Sequence, residues 1–154
     1  DGRGEVDIGY RIATYDDKQH YALNTLVVIN LKSNINMATK YLLGLINSKL
    51  LNFYYTKYLK STKKVFSEIQ ARQLAQLPIR TINFSDPAEK ARHDKMVSLV
   101  ERMLALHKSL ASTHNPQEAD RLTREVESVD KAIDGLVYQL YGLTDDEIKI
   151  IEEK

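Results

Sequence analysis

The chain has 154 residues, 43% hydrophobic and 28% charged, with a formal net charge of +1. That length and balance allow one domain, or a domain with a long appendage, and exclude the low-hydrophobicity, high-charge composition of a disordered chain. The absence of cysteine excludes disulfides, thiolate metal sites and a cysteine nucleophile.

In chain order, Glu5 to Ile12 and Tyr21 to Leu31 are rich in β-branched and aromatic residues and predict strands, with Asp16-Asp17 as the turn between them. Lys32-Ser33-Asn34-Ile35-Asn36 is a polar break. The apolar spacing from Met37 to about Tyr58 then predicts one long helix whose other face carries Asn47, Ser48, Lys49, Asn52 and Lys57. Past Lys60-Ser61-Thr62-Lys63-Lys64, VFSEI predicts a short strand, RQLAQ a helical turn and LPIRTI another strand, so the mixed part should end near Phe84.

Beyond it the sequence changes character. Asp86-Pro87-Ala88-Glu89 and Asn115-Pro116-Gln117-Glu118 each place an N-cap side chain, a proline at the first helical position and a glutamate two residues later. Thr144-Asp145-Asp146-Glu147 is a third start signal, after a Gly142 suited to ending the preceding helix. Helices over 87–112, 116–141 and 145–153 are predicted. The first two should form an antiparallel hairpin, with Met96, Leu99 or Val100, Met103, Leu106 and Leu110 facing the coiled-coil-like seam of Leu122, Val126, Val129, Ile133, Leu136 and Leu140.

Catalytic signatures are scarce. No glycine-rich phosphate loop and no GxSxG elbow is present, and His20, His93, His107 and His114 do not assemble a ligand set. Asp134 with Glu147-Ile148-Lys149 has the residue types of a metal-dependent nuclease, but Thr144 places them on a helix rather than a sheet edge, where acids oppose the helix dipole.

Charge is more informative. Residues 1–80 hold 12 basic and 6 acidic side chains, residues 81–154 hold 10 and 15, and from Lys40 to Arg80 eight basic residues face one acid, Glu68. This polarity suits an anionic partner for the first half. Lys49, Lys57, Lys60, Lys63, Lys64, Arg72 and Arg80 can neutralise phosphates. Asn34, Asn36, Asn47, Ser48 and Asn52 can bond phosphates or base edges, and Tyr54, Tyr55 and Tyr58 can stack. The same residues also allow a plainer reading, in which Phe53, Tyr54 or Tyr58 fills the core and the lysines solvate a helix end.

Four stretches in order, YLLGLINSKLLNFYY, FSEIQARQLAQLPI, MVSLVERMLAL and AIDGLVYQLYGLTDDEIKII, resemble the C-terminal end of the TaqI-like specificity domain, found in type IIG restriction-modification enzymes and related adenine-specific DNA methyltransferases. The resemblance covers roughly residues 21–153, and the layout is also similar to half of a type I restriction specificity subunit. It implies recognition of a specific duplex DNA sequence on behalf of an N-terminal methyltransferase domain of a longer parent chain. The family's Asn-Pro-Pro-Tyr and glycine-rich S-adenosylmethionine motifs are absent here. No cofactor is therefore expected in this chain, S-adenosylmethionine and, for a nuclease, Mg being expected of the parent. By the resemblance, Leu42 to Tyr55 matches the helix supporting the recognition domain and Phe66 to Ile79 a closing strand-turn-strand. Base-reading residues would lie mostly upstream of residue 41.

The resulting expectation is an α+β fold: the C-terminal part of a target-recognition domain over 1–85, then a helical hairpin and terminal helix over 86–154. The expected DNA-binding residues are Lys32, Asn34, Asn36, Lys49, Tyr55, Lys57, Lys60, Ser61, Lys63, Lys64, Arg72 and Arg80. The alternative is a protein-protein arm whose seam of Leu122, Val126, Val129 and Ile133 is shared between chains as a homo-oligomer. The sequence starts at Asp1 without the n-region, h-region and cleavage-site pattern of a secretory leader, and its longest charge-free run, Gln19 to Leu31, is too short to span a bilayer. A cytoplasmic piece of a longer protein is expected.

Overall fold

The computed structural model describes residues 13–18, 20–21, 26–59 and 69–153. The described residues form six α-helices, α1 Thr39–Ile46, α2 Lys49–Tyr54, α3 Ala71–Leu74, α4 Pro87–Ser112, α5 Pro116–Tyr141 and α6 Asp145–Glu152, with a π-helical turn, Tyr55–Leu59, continuing α2.

The helix boundaries follow local chemistry. Asp86 accepts a hydrogen bond from the Ala88 amide at 2.8 Å, and Asn115 accepts from the Gln117 and Glu118 amides at 3.0 and 3.4 Å, each ahead of its N1 proline. Gly142 ends α5 at φ 64°, where the Gly142 amide bonds the Gln139 carbonyl and the Leu143 amide bonds the Tyr138 carbonyl. Those two bonds satisfy carbonyls the helix end would otherwise orphan. Thr144 and Glu147 then cap α6 reciprocally.

The single helix expected from Met37 to Tyr58 is two. At Ser48 the backbone leaves helical geometry (φ −69°, ψ 154°), its hydroxyl donating to the Leu45 carbonyl at 2.7 Å and accepting from the Leu51 amide at 3.3 Å. Asn47 turns sideways, its amide donating to the Ala13 carbonyl and its oxygen accepting the Ala13 amide at 2.8 and 3.0 Å. Asn and Ser side chains that compete for backbone groups break the helix without proline or glycine.

α4 and α5 form the antiparallel hairpin. Met96, Val100, Met103 and Leu106 are buried against Leu122, Val126, Val129, Ile133, Leu136 and Leu140 within the same chain. α1 lies across α4 and is buried from Tyr41 to Ile46. The close approach is made at Gly44, where a Cβ would sit 2.6 Å from the Met96 sulfur and 3.0 Å from a Val100 methyl. One apolar cluster thus takes residues from both sides of position 85.

The α+β expectation is corrected: the described residues are helices and connections, without a strand or sheet. The clearest case is LPIRTI. It forms no regular element: the Ile79 amide turns back to the Leu77 carbonyl at 2.9 Å, and the polar backbone groups of Pro78 and Arg80 are claimed by tyrosines instead of a neighbouring strand. Tyr141 donates its hydroxyl to the Pro78 carbonyl at 2.6 Å and accepts from the Arg80 amide at 3.1 Å, while Tyr41 donates to the Arg80 carbonyl at 2.9 Å. In the strand expected over Tyr21 to Leu31, the described residues carry no ladder either, and Leu26 and Val28 are exposed. The strands expected over Glu5 to Ile12 and in VFSEI lie outside the described residues, apart from Ile69 at the end of the latter.

Candidate functional site

The described residues of 26–80 hold six basic side chains, Lys32, Lys40, Lys49, Lys57, Arg72 and Arg80, and no acid. The fold divides these cations into two sets.

Three face the acidic half. Lys40 bonds Glu101 of α4 at 2.8 Å, and this bond raises the Lys40 pKa. Lys49, at the first position of α2, lies 3.4 Å from Glu152 of α6 and 3.9 Å from Asp134 of α5. Arg80 pairs with Glu89 at 2.7 Å, donates to the Leu140 carbonyl at 3.3 Å and also reaches the Thr81 carbonyl. Glu89 accepts from the Asn83 amide as well, and that bond, followed by the Arg80 one, holds its carboxyl below the ordinary range.

The other three, Lys32, Lys57 and Arg72, are exposed and have no ion pair among the described residues. Arg72 and Lys57 share one end of the molecule, because α3 is pinned to the π-helical turn by Gln73. The Gln73 side-chain amide donates to the Leu59 carbonyl at 2.9 Å, and its oxygen accepts the Tyr55 hydroxyl at 3.1 Å.

Asn34 and Asn36 are exposed on the loop before α1, beside Lys32. Tyr55 is buried at 7% exposure, in a small apolar cluster with Leu42, Ile46 and Leu77, so its ring is engaged in packing. Lys60, Ser61, Lys63 and Lys64 lie outside the described residues. Tyr58, among the aromatics weighed for stacking, is the one left open, at 70% exposure. Its position follows from the π-helical turn, which sequence periodicity at 3.6 does not register.

Asp134 is 4% exposed, and burial pushes its carboxyl up to about 6, against the lowering effect of the Lys49 amide it accepts at 2.9 Å. That bond places a carboxylate at the N-terminus of α2. Glu147 is occupied by the Thr144 cap, and Lys149 lies 3.5 Å from Asp146, so the described geometry gives each nuclease-like residue a helix-end role. No group of three metal-ligating side chains occurs among the described residues.

Residues 6–79 match the family model of the TaqI-like C-terminal specificity domain, a span that contains Lys32, Lys57 and Arg72. The chain is 26% identical over 130 residues to the type II restriction enzyme and methyltransferase RM.Eco57I of Escherichia coli, an alignment covering 82% of this chain and 13% of that protein. The chain therefore spans a small part of the relative's length. No solved structure matches. Among the described residues, no helix is long and apolar enough to cross a membrane.

Proposed function

We propose, from the premise that residues 6–79 belong to the TaqI-like C-terminal specificity domain family, that this chain binds duplex DNA and presents its target sequence to the methyltransferase domain of a parent restriction-modification protein. The observation that carries the reading is the division of the cations. A basic segment that existed to hold the fold together would use all of its charges inward, yet Lys32, Lys57 and Arg72 stay exposed within the matched span, with no carboxylate in the described part of that segment. Exposed, unpaired cations are what phosphate contacts require. Lys32, with Asn34 and Asn36 on the same loop, supplies polar side chains suited to base edges.

The parent's chemistry, in this reading, lies elsewhere. The residues of this chain do not fit S-adenosylmethionine, since the glycine-rich and Asn-Pro-Pro-Tyr motifs are missing from the sequence. They do not assemble a Mg site either: no three metal-ligating side chains come together among the described residues, and the nuclease-like acids Asp134 and Glu147 are engaged by the Lys49 amide and the Thr144 cap. The protein-protein arm is the weaker reading because Leu122, Val126, Val129 and Ile133 are buried inside the hairpin of one chain, leaving that seam nothing to share.

The test is titration of the chain against a random-sequence duplex at several salt concentrations. Log affinity is expected to fall linearly with log salt, and Lys57→Gln with Arg72→Gln is expected to weaken binding to all sequences while reducing the slope by roughly 2. A wild type that binds no duplex at low salt would overturn the proposal.

A further inference from the structure

The end of the molecule that carries Lys57 and Arg72 also carries an aromatic surface. Tyr58 is 70% exposed, and its ring centroid lies 5.2 Å from that of Tyr54, four residues earlier, with 45° between the planes. The Lys57 ammonium lies 5.9 Å from the Phe53 ring centroid. Behind this surface the turn is held by the buried Tyr55, bonded to Gln73, so the tyrosine that faces outward is presented from a fixed base. The construction is unusual. An ordinary helix continuing α2 would not widen at Tyr55–Leu59, and π-helical turns of this length are rare and concentrate at functional sites.

Leaving a tyrosine ring in water forgoes the burial that its neighbour Tyr55 obtains. Covering the same ring with another apolar face recovers it. The cover must tolerate two cations, Lys57 and Arg72, and no carboxylate lies in the described residues of 26–80 to attract a basic partner. A nucleobase meets both conditions: it offers a flat π-face to the ring and carries a phosphate on either side.

We infer that the Tyr54–Tyr58 pair is a stacking platform for one DNA base lying outside the duplex stack, with Lys57 and Arg72 engaging the flanking phosphates. This deepens the DNA-recognition reading and rests on it. It also replaces Tyr55 with Tyr58 as the aromatic that meets DNA.

The experiment uses the whole 154-residue chain and two probes: a fully paired duplex, and the same duplex with a single bulged 2-aminopurine whose fluorescence reports stacking. The wild type is expected to prefer the bulged probe and to quench its fluorescence. Tyr58→Ala, at an exposed position, is expected to lose roughly 5- to 140-fold on the bulged probe, leaving the paired probe and its salt slope unchanged. Tyr58→Phe is expected to keep the preference, since stacking needs the ring and not the hydroxyl. If Tyr58→Ala keeps the preference, or if the wild type binds both probes equally, the platform is overturned and the recognition reading stands. If the wild type binds neither probe, both are overturned.

Discussion

Asp134 is a carboxyl held where its type is rarely found, 4% exposed between α5 and the start of α2. Its ordinary carboxyl would be charged at neutral pH at no cost, but burial moves it up to about 6. A carboxyl whose folded pKa is raised binds more protons when folded than unfolded between about 4 and about 6. Its contribution to stability is therefore greatest below that window, falls as pH rises through it, and is flat above. Asp134→Asn keeps an oxygen to accept the Lys49 amide and removes the titration. Urea unfolding at pH 4, 5, 6 and 7 is expected to show a loss of at most about 3 kcal/mol across the window in the wild type and none from this position in the variant. Tyr141 offers a second residue-scale test. Tyr141→Phe deprives the Pro78 carbonyl and the Arg80 amide of their partner, and a loss of about 1–3 kcal/mol in the urea midpoint, with unchanged slope, is expected. At this scale the sequence is least legible. Arg80 and Tyr55 have the residue types of DNA contacts, but whether such a group turns outward depends on Glu89 and Gln73, which reach it only through the fold.

Elements were legible where their signals are local. The starts at Pro87, Pro116 and Asp145 and the stop at Tyr141 agree with the structure, because an N-cap, an N1 proline and an αL glycine act within one helical turn. Thr144→Ala is expected to cost about 1 kcal/mol by thermal unfolding, and to loosen Glu147 with it, since the cap is reciprocal. Strand character, by contrast, needs a partner. LPIRTI has the composition of a strand, and two tyrosine hydroxyls from α1 and α5 take the hydrogen bonds a ladder would have used. The helix break at Asn47–Ser48 also escaped periodicity, because apolar spacing continues through it while the polar side chains decide the backbone.

For the molecule as a whole, the charge asymmetry between the two halves was visible in the sequence, but not its double use. Lys40, Lys49 and Arg80 fasten the basic half to α4, α5 and α6, while Lys32, Lys57 and Arg72 stay outside among the described residues of 26–80. Salt should separate the two uses. Moving from 0.1 to 1 M is expected to change unfolding stability by no more than about 1 kcal/mol, because partly exposed ion pairs contribute little. DNA affinity is expected to fall by orders of magnitude over the same range, because it scales with counterions released. Packing couples the halves more firmly than charge does. Gly44→Ala forces a carbon against the fully buried Met96, and about 1–3 kcal/mol of destabilisation is expected by chemical unfolding, with the docking of α1 on α4 disturbed first.

The break at Asn47–Ser48 has a mechanical consequence. A continuous helix from Thr39 to Leu59 would be a stiff lever, and any push on Tyr58 would be delivered undiminished to the buried turn at Gly44. With the axis interrupted, α1 is seated in the core by its own buried face, while the first turn of α2 is held separately by the Ser48 hydroxyl and the Asp134 carboxylate. Each helix therefore has its own axis and its own fastenings, and a change at one is not carried along a shared rod to the other.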